Sequence, residues 1–433
     1  MCNHHAHRLS DLQALFISSN SHLQLANCVW LTCLLCLVIF ITGCSPQHAD
    51  NSSQSDKLSM GSVLGHSIDG YTEVTPDRQI NFPADHQAHD DYRQEWWYLT
   101  ANLTTESGEL LGLQWTQFRV ALSPPDSSQK SPQKSAPETT LPSSQLTISQ
   151  ATTSQADEKA HTPWATQQLY MAHAALTSSK QHYTAEQWSR AHPSLAAVQN
   201  APFAVSLNQW QWLSEDQNGD MFPATLSVNE PEFGYQLKLS RQAPYQRQGD
   251  KGYSTKSADN AVASYYYSQP YIEVSGQVIR QGKVDNVSGI AWLDREWSSQ
   301  FLTKAQQGWD WFSIRLNDVQ TLMIFQLRRQ DEQSHFYSAR LMHRDGSGKS
   351  YSSQTHPDLI SMQPTKWTNT ALGKHPTQWH IRIADDAGGV NIDIHTRALN
   401  PQSDMPLSVS YWEGPIEFSG THQGSGYMEL TGY

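Results

Sequence analysis

A two-residue rhythm constrains the fold most strongly. Gln378–Ile383 (QWHIRI) and Val390–Thr396 (VNIDIHT) alternate apolar and polar side chains, with Asp385-Asp386-Ala387-Gly388-Gly389 between them. Successive side chains of a strand point to opposite faces, so the pattern describes two strands around a turn. Tyr271–Val278 sets Ile272, Val274 and Val278 against Glu273, Ser275 and Gln277. In Leu110–Val120, Leu113 and Trp115 share one face and Gln114, Thr116 and Phe118 the other. Thr321–Arg328 (TLMIFQLR) is a further strand. A sustained period of 3.6 is missing; Thr184–Ser189 alone reads as a short helical segment. The expected class is mainly β, with strands at barrel or sandwich spacing.

The pattern repeats at long range. Trp96-Trp97-Tyr98-Leu99 begins a strand that returns as Leu113–Arg119, and Trp309-Asp310-Trp311-Phe312 begins one that returns as Met323–Arg328. Two similar consecutive β domains follow as the expectation, 66–268 and 269–433. Residues 123–163 contain no Phe, Trp or Tyr and are rich in Pro, Ser, Gln and Thr. They read as a disordered insertion in the first domain, since strand-like runs flank them. Residues 246–263 form a second soft stretch.

All five cysteines lie within the first 44 residues. Cys28–Gly43 is apolar and uncharged, shorter than the roughly 20 residues of a spanning helix and suited to the core of an export signal. Ile41-Thr42-Gly43-Cys44 resembles the bacterial lipobox. That resemblance implies a signal peptide over 1–43, acylation of Cys44 and a flexible tether over 44–65. Ser45 favours the outer membrane, with the protein facing the periplasm. Several acyl chains, at about 0.8 kcal/mol per buried CH₂, hold such an anchor stably. No thiol remains for catalysis or disulfides. The net charge of −12 argues against a nucleic-acid partner.

G-x-S-x-G, P-loop, G-x-G-x-x-G and H-E-x-x-H motifs are absent, and no cofactor is expected. The densest constellation is Ala291–Trp297, AWLDREW. In a strand, Trp292, Asp294 and Glu296 share one face, and Leu293, Arg295 and Trp297 the other. Two acids flanked by indoles are costly to bury unless paired or functional. An acid there can protonate an alkene, and the indoles stabilise the resulting cation; a charge network closing a barrel end is the plainer reading. Glu95 follows the same logic, either as an acid with raised pKa or as a partner of Arg119. His173 stands in the apolar run Tyr170–Leu176, usually the place of a hydrogen-bonded core histidine. His86 and His89 have spacing compatible with a metal only if both rings face one way. Tyr266, Trp97, Trp115, Trp309 and Trp311 complete the candidate ligand-lining set, with simple packing as the alternative for each.

DHQAHDDYRQEWWYLTANL, LGLQWTQFR, QLYMAHAAL, SYYYSQP, GIAWLDREWSSQF, QGWDWFSIRL and GYMELTGY occur in this order from residue 85 to the end. Together they resemble the AttH-like family, related to carotenoid 1,2-hydratases and described as lipocalin-like or secreted hydrolases. The resemblance implies two consecutive lipocalin-like antiparallel β-barrel domains and an apolar ligand. It implies addition of water across a C=C for the hydratases, with Asp294 matching the proton donor; on the residues themselves, Glu95, Glu296 and His173 are lesser candidates. The leading functional expectation is a lipid or isoprenoid carrier anchored in the cell envelope, working beside an ABC-type exporter. The alternative is a hydratase or hydrolase of such a ligand.

Overall fold

A computed structural model describes residues 68–125, 166–329 and 335–433. The export signal, Cys44, the tether and the insertion beyond residue 125 lie outside the described residues.

The first sheet contains β1 (Gln94–Thr105), β2 (Leu110–Ala121), β3 (Gln168–Ser178), β4 (His182–Arg190), β5 (Ala196–Asn200), β6 (Phe203–Leu207), β7 (Trp210–Ser214), β8 (Ala224–Asn229), β9 (Phe233–Arg241), β10 (Gln246–Arg247), β11 (Tyr253–Thr255), β12 (Ala263–Arg280) and β13 (Lys283–Ser298). The second contains β14 (Gln306–Arg315), β15 (Gln320–Arg329), β16 (Phe336–His343), β17 (Gly348–Ser352), β18 (Ile360–Asn369), β19 (Lys374–Asp385), β20 (Val390–Ala398), β21 (Asp404–Met405), β22 (Tyr411–Gly420) and β23 (Gly424–Leu430). Pairing in the first runs β4-β3-β2-β1-β13-β12-β9-β8-β7-β6-β5, and in the second β17-β16-β15-β14-β23-β22-β20-β19-β18. Each order is a four-strand meander whose first strand pairs with the last strand of its sheet. The duplication heard in the aromatic pairs is thus a duplication of topology. Each sheet curls around one core as a nearly closed antiparallel barrel, and no ladder among the described residues joins β4 to β5 or β17 to β18.

Alternation explains the packing. Trp97, Leu99, Ala101 and Leu103 of β1 point into the first core with Leu111, Leu113 and Trp115 of β2. Phe312 and Ile314 of β14 and Ile381 and Ile383 of β19 do the same in the second. The opposite face of β1, β12 and β13 is also buried, because it meets the second sheet: Tyr98, Tyr266 and Trp292 pack with Trp311, Met323 and Phe325.

Three expectations are corrected. The sequence reading ends the first domain at 268, but β12 and β13 hydrogen-bond within the first sheet, and the passage to the second falls between Ser298 and Gln306. Residues 246–263, read as soft, contribute β10 and β11, which add to β12. Thr184–Ser189 is part of β4, held by its pairing with β3 and not by local helical propensity.

Candidate active site

The site lies where the two sheets meet. The register of β13 places Asp294 opposite Tyr98 of β1 and Ser268 of β12, and Glu296 opposite Trp96 and Tyr266. From the second sheet, β22 and β23 set Glu413 opposite Glu429, and β14 sets Trp311 opposite Glu429. Between them is a cavity walled by Trp96, Tyr98, Phe118, Tyr266, Phe301, Leu302, Trp309, Trp311, Phe325, Leu327 and Tyr411, with Thr116, Lys256, Asp294, Glu296, Glu413 and Glu429 as polar groups. The cavity volume is about 80 Å³. That is several times the roughly 10–15 Å³ that one water needs.

Asp294 is buried in this aromatic wall. Tyr266 donates to its Oδ2 at 2.6 Å and Trp292 Nε1 to its Oδ1 at 2.7 Å, while Ser268 also donates to Oδ1. Trp311 Nε1 donates to the Tyr266 hydroxyl at 3.2 Å, tying the second sheet to the group. Burial pushes the Asp294 carboxyl up to about 7, although the three donors favour its ionised form; Glu296 raises it further. Burial also raises Glu429 to about 8, helped by Asp294 and Glu296 and opposed by a 3.0 Å hydrogen bond from Trp309. Glu413 is lifted well above the carboxylate range by burial and by Glu429 across the strand pair. Its Oε1 accepts from Tyr98 at 2.5 Å, and its Oε2 is buried without a hydrogen bond. Glu296 pairs with Lys256 at 2.6 Å, and the Lys256 ammonium lies over Tyr266 and Phe325. The cavity thus confronts a ligand with three carboxyls whose pKa values burial raises, one ion pair and aromatic faces.

Asp294, Glu296, Tyr266, Trp309 and Trp311 line this cavity, and Trp292 binds Asp294 directly. Trp97, Trp115 and Trp297 do not. Trp97 and Trp115 point to the other side of their strands and fill the first core, Trp115 against Trp212. Trp297 stacks on His89 with ring centroids 4.0 Å apart. Glu95 is no cavity acid. It is fully buried between Arg119 and Arg295, with Arg295 Nη2 at 2.6 Å, and accepts from the His89 backbone amide. Burial would raise its pKa, but the two guanidinium groups hold it well below the usual range. The salt-bridge reading therefore holds for Glu95. His173 lies outside the wall, bonded to Tyr411 and Glu186.

His86 and His89 do not share a centre: His86 Nδ1 bonds Tyr267, and His89 bonds Glu95 and Asp85. Among the described residues, His380, Asp393 and His395 bring three potential ligand atoms within 4.8 Å of one another. There His380 Nε2 bonds Asp393 at 2.8 Å, and Arg382 stands opposite Asp393 in the β19–β20 register.

Tyr98, Lys256, Tyr411, Glu413 and Glu429 escaped the sequence reading. The signal was present for the two glutamates. Each is an acid inside an apolar strand, Tyr411-Trp412-Glu413 and Tyr427-Met428-Glu429-Leu430, the same anomaly that singled out Asp294. Lys256 carries no such signal, because its polar loop looks solvated.

Fold and site together define the class: a duplicated, lipocalin-like β protein with an acid-bearing aromatic cavity at the junction of its sheets. The chain belongs to the AttH-like family, whose model matches residues 73–433. It is similar to a solved Nitrosomonas europaea structure described as AttH, at 29% identity and a TM-score of 0.66, over 84% of this chain and 99% of that one. Kievitone hydratase of Nectria haematococca shares the fold at 12% identity and a TM-score of 0.56, over 84% of this chain and 96% of that one. No curated protein matches the chain.

Proposed function

We propose that the protein is an acid catalyst of the hydratase type, adding water across a C=C at the apolar end of an isoprenoid or similar ligand. One observation carries this reading: Asp294, Glu413 and Glu429 are buried among aromatic rings, where burial raises Asp294 to about 7, Glu429 to about 8 and Glu413 well above its ordinary value. An acid that stays protonated near neutral pH is poised to give its proton away.

Asp294 donates its proton to one alkene carbon as the π pair forms the new C–H bond. The neighbouring carbon becomes a cation, facing the rings of Trp311 and Tyr266. Water adds its lone pair to that carbon, and the surplus proton returns to the Asp294 carboxylate. Tyr266, Ser268 and Trp292 already donate to that carboxyl and stabilise the transient anion. Nothing is consumed except water and alkene.

A carrier shares the cavity but has no use for costly neutral acids in its wall. The full chain, incubated with geraniol or a prenylated phenol in water labelled with heavy oxygen, is expected to give the labelled alcohol. Asp294→Asn lowers turnover by roughly 100-fold or more while probe binding persists. Binding of these alkenes without turnover by the wild type would overturn the hydratase reading and leave the carrier. Attachment to the outer membrane through Cys44 remains part of the proposal, and its support is the lipobox resemblance alone.

A further inference from the structure

The outer face of the second barrel carries a polar cluster apart from the cavity, none of whose lining residues belongs to β19 or β20. Ile381 and Ile383 of β19 and Ile392 and Ile394 of β20 fill the second core. Strand alternation therefore sends His380, Arg382, Asp393 and His395 to the opposite face. His380 stands directly opposite His395, and Asp393 precedes His395 by two residues on the same face. Residues opposite each other in an antiparallel pair have Cβ atoms about 4.5–5.5 Å apart, within the span of two imidazoles. One ligand atom from each of His380, Asp393 and His395 lies within 4.8 Å of the other two. His380 Nε2 is 2.8 Å from Asp393 Oδ1, and the two rings stack with centroids 4.4 Å apart, 9° from parallel.

The donor set selects a class of ion. Two imidazoles and a carboxylate suit zinc and its first-row neighbours, whereas magnesium and calcium take oxygen ligands. The hydrogen bond from His380 lowers the Asp393 carboxyl below its ordinary value, against a smaller opposing effect of burial, and the nearby charge of Arg382 lowers it further. Asp393 is therefore an anion at neutral pH. Arg382, exposed and opposite Asp393, is the cation beside the cluster. The row through the two histidines is otherwise neutral, with Gln363 opposite His380 and Ser419 opposite His395. The side chains of His380 and Asp393 are 32% and 41% accessible, and His395 is exposed, so a hydrated ion reaches all three. Zinc bonds of about 2.0–2.2 Å set tetrahedral ligand atoms about 3.3 Å apart. Drawing in even a separation of 4.8 Å takes about 1.5 Å, a tilt of exposed rings out of their stack.

We propose that His380, Asp393 and His395 bind a divalent ion of the zinc class on the outer face of the second barrel, independently of the chemistry at the cavity. On binding, the neutral His380 ring carries its hydrogen on Nδ1 and not on Nε2. The freed Nε2 lone pair then joins the Asp393 carboxylate and one ring nitrogen of His395 on the ion, and water completes the shell. The ion exchanges the hydrogen bond between His380 and Asp393 for metal bonds to both. It also ties β19 to β20 on the side opposite the isoleucines that fill the core, so it stabilises this part of the barrel.

Calorimetric titration of zinc chloride into the full chain, stripped of metal beforehand, reads the site as a difference between proteins. The paired variant His380→Gln, His395→Gln lacks one binding event that the wild type shows. The other histidines, His4, His5 and His7 among them, contribute to both alike. Asp393→Asn keeps both rings and weakens that event by roughly 10-fold or more, at least the cost of losing a group that supports a metal ligand. Zinc raises the melting temperature of the wild type more than that of the paired variant, and magnesium chloride at the same concentration produces no such difference. Equal zinc stoichiometry, affinity and thermal shift in the wild type and the paired variant would overturn the site. So would an event seen only above millimolar zinc, which is adventitious, or a magnesium effect as large as that of zinc, which would exclude the imidazoles as ligands.

Discussion

Replacing Asp294 with Asn flattens the dependence of stability on pH. In the unfolded chain the carboxyl titrates near its model value of 3.8, and in the folded protein near 7. The raised folded pKa means that the proton stabilises the native state. That contribution is complete below the unfolded pKa and is lost as pH rises through 7. Between pH 5 and pH 7 the folded protein holds a proton that the unfolded chain has released, and each unit corresponds to about 1.36 kcal/mol. The wild type therefore loses roughly 2.7 kcal/mol between pH 5 and pH 8 from this group alone. Asn cannot ionise and loses none of it. Its altered hydrogen bond with Tyr266 costs about 1 kcal/mol, but equally at both pH values. Glu429, at about 8, adds a loss of the same sign. Without the Asp294 charge Glu429 is less raised, so the variant becomes flatter still. Urea unfolding of both proteins at pH 5, 6, 7 and 8 measures the difference. Parallel curves would mean that Asp294 is ionised in the folded protein at pH 5, and the proton donor assigned to it would be lost.

Other outcomes separate the cavity from its supports. Arg119→Met leaves the buried Glu95 short of a partner and destabilises by about 3–5 kcal/mol in urea unfolding, while the affinity for geraniol at the cavity is kept. Trp115→Ala hollows the first core and costs about 3–5 kcal/mol. Trp311→Ala, in the cavity wall, weakens geraniol binding measured by calorimetry and costs less stability, because the cavity is already open beside it. Reversal of those two effects would place the ligand inside the first barrel. Cys44→Ser shifts the protein from the membrane fraction to the soluble periplasmic fraction, and unchanged fractionation would remove the acyl anchor.

Much of the fold was legible because strand alternation is local. Ile381 and Ile383 face inward for the same reason that Arg382 faces out, and both facts are written in QWHIRI. The paired faces of AWLDREW were equally readable: Leu293 enters the first core and Asp294 does not. The end of the first sheet was less so, since β12 continues without a break through the residue taken as the boundary. Trp97, Trp115 and Trp297 were misassigned because an indole lining a cavity and one filling a core have the same sequence context. Glu95 and Asp294, each within two residues of a tryptophan, diverged for a non-local reason. Arg119 and Arg295 reach the first, whereas among the described residues no ion pair is made to the second, whose donors are Tyr266, Ser268 and Trp292.

By itself the sequence determined the β class, the duplicated aromatic strand pairs, the family and the face on which Asp294 lies. Each depends on the order of residues within one strand or segment. Only the tertiary structure decided that the outer face of one curled sheet closes on the other and that the cavity lies between them. It also decided which buried carboxyls have their pKa values raised. A carboxyl's charge is set by the burial and the cations around it, and for Asp294, Glu413 and Glu429 those surroundings come from strands far apart in the chain.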